Sequence, residues 1–338
     1  MMYVVFIHCL YWVGLFNGRY SSILKSLFLI EMPLFFFIAG ASNSLSKKRP
    51  VLSFYISRFQ RILLPYWIYG LICITLTYIA TVITPIEIEQ EKYFAFNFPL
   101  VFVPVSKIGH MTGVLWFIPV YLYVIFLFPL FEKYYGRYKN SNAKYVPLII
   151  LPILLMNNGW EELSNAKMVI FYSFWVYAGL FFQELKINEP IKSKLKIIPV
   201  IVFCAILVLR FILTNHSYAN MQTNKFPPNI VFFFYTFGAL LTFYLFSKYI
   251  INTLNYLRRS KVFNWIYKQY IQNCYTIYLY HLPSFFVIDN VFKHLGIRDY
   301  LFSNQWICLT IYILLTIPIN AVIGKLFSWA EKIKIINR

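Results

Sequence analysis

Apolar residues in this chain come in blocks, and the blocks recur. Ten of them fall at about 1–16, 27–45, 54–82, 114–132, 145–158, 168–183, 198–213, 229–250, 272–291 and 306–324. Most approach the ~20 residues that a helix needs to cross a hydrocarbon core. Lipid offers no hydrogen bonds, so a backbone inside it must satisfy its own N–H and C=O groups, and helices do this segment by segment. The expected fold class is an all-α integral membrane protein with about ten transmembrane helices, forming one polytopic domain over residues 1–338. Composition agrees: 60% of residues are hydrophobic and 13% charged. Soluble domains run near half and a quarter.

The chain carries 31 Lys and Arg against 12 Asp and Glu, a net charge of +19. Cytoplasmic loops of membrane proteins concentrate Lys and Arg. With the N-terminus placed in the cytoplasm, the inside segments hold twenty-two of these residues and the outside segments eight. Each inside segment outscores each outside one, so both termini are expected to be cytoplasmic. The positive charge then faces an anionic leaflet, and no nucleic-acid partner is needed to explain it. No basic stretch interleaves with aromatics in the manner of a nucleic-acid site. The opening block lacks a basic leader and a small-residue cleavage site, so it reads as a retained first span.

Two segments outside the blocks stand out. Residues 84–112 combine an acidic piece, EIEQEKY, with FAFNFPLVFVPV, which is apolar but too short to span and is expected to be re-entrant or interfacial. Residues 252–272 are basic and aromatic, and are expected to form one amphipathic helix on the cytoplasmic surface. Cys9, Cys73, Cys204, Cys274 and Cys308 all lie in apolar stretches without metal-ligand spacing, so they read as small buried hydrophobes and no metal is expected. Asn215-His216-Ser217 matches a glycosylation acceptor, a weak three-residue pattern.

Ionisable residues inside membrane segments are costly and mark candidate sites. His8 sits inside the first span. Imidazole titrates near neutral pH, which suits a base or nucleophile. Composition alone leaves equally open a histidine that donates to a neighbouring helix backbone. Arg58 and Arg61 are three residues apart at the start of the third span, on one helical face. They read either as a phosphate clamp or as anchors that snorkel to headgroups. Glu31 opens the second span, whose Ala39 and Gly40 permit close packing. Trp116 opens the fourth on the outer side, as a membrane-interface residue or a stacking face for a sugar. His281 lies in the ninth span, with Asp289 two turns later, where a hydrogen-bonded His–Asp pair is expected. Glu31, Trp116 and His281 are the candidate substrate residues. Walker, GxGxxG and GxSxG motifs are absent.

Taken in order, a first-span histidine, MPLFFFIAG, RFQRILLPYW, LWFIPVYLY and TIYLYHLP resemble the membrane-bound acyltransferase type 3 family. The resemblance spans nearly the whole chain. It is strongest to the bacterial branch that O-acylates surface polysaccharides, the intercellular-adhesin and fucose-acetylase-like proteins. It implies an O-acetyltransferase of the cytoplasmic membrane that moves an acyl group, usually acetyl, from acetyl-CoA to a hydroxyl of a cell-surface or lipid-linked glycan. It implies that His8 is catalytic and that Arg58 and Arg61 hold the coenzyme A phosphates. The chain departs from the family at Ala39, where a serine is usual in the second-span motif. The alternative is a flippase or exporter of a lipid-linked sugar or polysaccharide, since many spans and interior polar residues suit that too. Against it, no inverted repeat is visible.

Overall fold

The computed structural model describes residues 1–13, 25–46, 50–83, 115–156, 164–185, 187–214 and 220–333. Among these there is no strand, only an isolated bridge between Lys225 and Pro228. The main helices are α1 (Met2–Trp12), α2 (Glu31–Ser44), α3 (Val51–Ile83), α4 (Phe117–Tyr138), α5 (Val146–Leu155), α6 (Ser164–Gly179), α7 (Ile198–Thr214) and α8 (Met221–Lys225). They continue with α9 (Ile230–Leu245), α10 (Ser247–Leu257), α11 (Lys261–Gln272), α12 (Cys274–His294), α13 (Arg298–Ser303), α14 (Gln305–Phe327) and α15 (Trp329–Lys332). Prolines interrupt four long helices, at Pro65, Pro129, Pro283 and Pro318. Such prolines are tolerated in membrane helices, where neighbouring groups satisfy the freed carbonyls. Asparagines mark several starts. Asn220, Asn229 and Asn304 each accept a bond from a first-turn N–H of α8, α9 or α14.

Among the described residues, four helical stretches are long and apolar enough to cross a membrane: Lys25–Ser44, Phe117–Tyr138, Ile191–Thr214 and Gln305–Phe327. The bent pair α9 and α10, with 62° between its arms, makes a fifth. The chain is a multi-pass membrane protein. The other expected blocks are also helical, but α1 and α5 are shorter than a full crossing. The amphipathic segment expected over 252–272 is two helices, not one. It breaks at Arg258–Ser260, where Ser260 takes the N–H of Phe263 and caps α11. The acidic and re-entrant candidates of 84–112, and the sequon at 215–217, lie outside the described residues.

The chain divides into two compact units. Unit 1 comprises residues 1–15, 49–122 and 260–338; unit 2 comprises 16–48 and 123–259. In unit 1, α12 packs along α14, and α1 contacts both. Gly324 of α14 leaves the space that the Ile277 side chain of α12 occupies. In unit 2, α2 packs along α6, α5 along α6 and α7 along α9. The α2–α6 crossing is parallel: Phe36 stacks on Tyr172, and Gln183 donates to the Ser44 carbonyl farther along. It is also very close, because Gly40 faces the Val176 carbonyl and Gly179 faces Phe37 and Ala41. Small residues at such crossings let backbones approach.

At the Ser44 end of unit 2 the basic segments gather. Glu184 accepts from Tyr135 at 2.6 Å and pairs with Lys144 at 2.9 Å. Desolvation pulls the Glu184 carboxyl upward, but Tyr135 and Lys144 outweigh it and hold it below the ordinary carboxylate value. A Cβ at Gly40 would fall on backbone that cannot rotate away. Gly40→Val is therefore expected to destabilise the protein by about 3 kcal/mol or more, seen as a lowered melting temperature in detergent. An unchanged melting temperature would contradict this crossing.

Candidate active site

The first span is apolar on every side of its helix. Val4, Val5, Ile7, Cys9 and Leu10 are all buried, which holds α1 in unit 1 and leaves His8 half-buried among them. His281 is fully buried on α12. The two imidazoles meet: His281 Nε2 lies 3.1 Å from His8 Nδ1, with ring centroids 4.8 Å apart. Each ring has a second contact. His281 Nδ1 lies 2.5 Å from the Tyr278 carbonyl, and His8 Nδ1 lies 2.9 Å from the Val4 carbonyl.

These contacts assign the tautomers. A carbonyl only accepts, so His281 Nδ1 carries a proton and donates it to Tyr278. A neutral His281 then has its lone pair on Nε2, which faces His8. His8 Nδ1 faces that lone pair and the Val4 carbonyl, so it too carries its proton. The lone pair of neutral His8 is thereby placed on Nε2. The pair is a directional relay, Tyr278 carbonyl to His281 to His8, that presents a basic nitrogen at its end. If His8 Nε2 takes up a proton, its Nδ1–H remains directed at two acceptors, which stabilises the imidazolium.

The arginine pair lies in the same unit. Arg58 and Arg61 stand about 10–15 Å along α3. Arg58 is half-buried over the Phe54 ring at 5.6 Å, and Arg61 is exposed. Both charges act on Tyr121 of α4, and Arg61 also acts on Cys274, the first residue of α12. Cys274 precedes His281 by about 10 Å along that helix. The charge pattern puts the arginines at the inner start of the third span and Trp116 at the outer start of the fourth. Tyr121, in the second turn of α4, lies within electrostatic reach of both arginines. At 33 residues, α3 is about 50 Å long, more than a crossing requires, so its sequence ends do not fix the depth of its side chains. Trp116 is half-buried just before α4. Its neighbour Phe117 meets Tyr278 edge-on at 4.5 Å, and the Tyr278 ring lies 5.5 Å from His281.

The expected His281–Asp289 pair does not form. Asp289 accepts from Arg298 at 2.9 Å and from Tyr312 at 2.7 Å. Eight residues along a helix is about 12 Å, beyond hydrogen-bond reach, and Arg298 is a stronger partner for a carboxylate than a neutral imidazole. Glu31 lies in unit 2, not with the histidines of unit 1. It is buried in an ion pair with Lys225 at 2.5 Å. The five cysteines are free, four of them fully buried, as small apolar fillers should be. Among the described residues no group of His, Cys, Asp and Glu could hold a metal ion.

The histidine pair and the two arginines thus belong to one helical unit. The family model described as an acyltransferase domain (acyltransferase 3) matches residues 1–325, so the chain belongs to the membrane acyltransferase 3 family. Membership assigns acyl transfer in general to this fold. No curated protein and no solved structure matches the chain.

Proposed function

We propose that the protein takes an acyl group, acetyl first among the choices, from cytoplasmic acyl-CoA and transfers it to a hydroxyl of a cell-surface or lipid-linked glycan. The observation that carries this reading is the His8–His281 pair, because the relay leaves His8 Nε2 as the basic atom. His8 Nε2 removes the proton of the acceptor hydroxyl as its oxygen attacks the thioester carbonyl. The tetrahedral intermediate collapses, the C–S bond breaks, and the imidazolium returns the proton to the departing coenzyme A sulfur. His281 is the positioning partner of His8, not a substrate contact. Trp116 offers an aromatic face for the acceptor.

Arg58 and Arg61 hold the donor's phosphates through charge-assisted bonds. The electrostatic reach of Arg61 to Cys274, toward the chain start of α12 from His281, suits a donor whose phosphates and thioester are separated by a long flexible arm. Two such bonds are worth about 1.5–3 kcal/mol each. Replacing both arginines with alanine is therefore expected to raise KM for acetyl-CoA about 100-fold, with a smaller effect on kcat. An unchanged KM would return the two residues to headgroup anchors.

The reading places ten spans in the cytoplasmic membrane with both termini inside, as the Lys and Arg asymmetry requires. It is tested by measuring ester-linked acetate on surface glycans of cells with and without the protein, together with export of the polymer. Loss of acetate with export intact supports acyl transfer. Loss of export with acetate intact supports a flippase or exporter, a function for which the histidine relay has no evident use.

A further inference from the structure

Unit 2 contains a buried polar cluster that acid–base chemistry at His8 does not use. Glu31, at the start of α2, is 4% exposed, and Lys225, at the end of α8, is also 4% exposed. Their ion pair engages only one carboxylate oxygen. The other, Oε2, is buried without a hydrogen-bond partner. One turn before Lys225 on the same short helix, Gln222 Oε1 is likewise buried without one. The segment carrying them is pinned in place. Asn220 caps it, the Met221 N–H donates to Ser26 Oγ at 2.9 Å, and Asn229 donates to Asn224 at 2.6 Å. Lys167, in the first turn of α6, is buried at the same end of the parallel α2–α6 pair. Tyr172 and Tyr235 lie within electrostatic reach of Glu31.

A buried acceptor left without a donor destabilises the structure that contains it. Here one such acceptor, Glu31 Oε2, lies on a carboxylate paired with Lys225 and within reach of Tyr172 and Tyr235, and the second, Gln222 Oε1, belongs to the helix that carries Lys225. A ligand that relieved both would have to bring hydrogen-bond donors. Sugar hydroxyls do so, while their own oxygens accept from ammonium groups such as Lys167 and their C–H faces pack on aromatic rings. We infer that the cluster of Glu31, Gln222, Lys225 and Lys167 is a binding site for a sugar, closed over by the 220–229 segment. The inference deepens the reading of a glycan acceptor and rests on it. By the charge pattern, this end of unit 2 faces away from the cytoplasm.

The test needs no acyl transfer. Melting temperature is measured on the full-length protein in detergent, with glucose and with N-acetylglucosamine. Tetra-O-methylglucose serves as the control, since it keeps the pyranose ring and is used at the same osmotic strength but has lost most of its donors. The site predicts that both sugars raise the melting temperature above the control. It also predicts that Gln222→Met, which removes an unsatisfied acceptor at nearly constant volume, raises the melting temperature of the sugar-free protein and weakens the sugar response at least tenfold in concentration. Glu31→Gln, which keeps one acceptor but replaces the other with an N–H donor and removes the charge paired with Lys225, should weaken it too. A purely structural role predicts that Gln222→Met lowers the melting temperature. That result, or sugar responses no larger than the control, or responses unchanged in Gln222→Met, would overturn the inference. None of these results bears on whether His8 transfers acyl groups, which the glycan acetate measurement decides separately.

Discussion

His8→Ala is expected to reduce acyl transfer about a thousandfold or more while the protein still inserts and accumulates in the membrane. General-base catalysis contributes about 10²–10⁴, and His8 is the residue at the end of the Tyr278–His281–His8 relay. The substitution removes a half-buried side chain from a helix whose fully buried residues are Val4, Val5, Ile7, Cys9 and Leu10, so folding should change little. The check is ester-linked acetate on the glycan at matched protein levels. Wild-type acetate in the variant would return His8 to the role of a histidine that satisfies its own helix through the Val4 carbonyl.

His281→Met is expected to lower kcat by about 10- to 100-fold and to leave KM for acetyl-CoA near its wild-type value. Methionine fills the space without presenting an acceptor to His8 Nδ1. Losing a hydrogen bond to a charged group costs about 1.5–3 kcal/mol, and here the bond matters most when His8 carries the transferred proton. His281→Gln retains a carbonyl acceptor and should recover part of the rate. The effect of His281→Met should vanish in a His8→Ala background, because residues that act through one another are not additive. If His281→Met instead raised KM and left kcat intact, or if the two substitutions were additive, His281 would be a substrate contact or a packing residue and not the partner that orients His8.

The all-helical membrane class was legible in the chain itself, because lipid imposes helices, and buried charges stood out as candidates. Pairing was less legible. His281 was matched to Asp289 since two turns on one helix look adjacent in sequence, yet its partner lies 273 positions away on α1. A signal did exist. His8 lies seven residues into the first span and His281 nine into the ninth, and these odd-numbered spans run in the same direction, which puts the two at similar depth. Glu31 was recognised as costly, but its partner Lys225 sits in a short connecting helix that hydropathy alone reads as loop.

The account turns on the direction of the histidine relay, and nitrogen NMR reads that direction. Protein labelled with ¹⁵N at its imidazoles and reconstituted in bilayers reports, for each ring, which nitrogen carries the proton. The His8 signals are assigned by their loss in His8→Ala. The account predicts neutral His8 protonated at Nδ1 and bare at Nε2, with His281 in the same tautomer. Neutral His8 protonated at Nε2 would leave no basic nitrogen at the end of the relay and would contradict the mechanism outright.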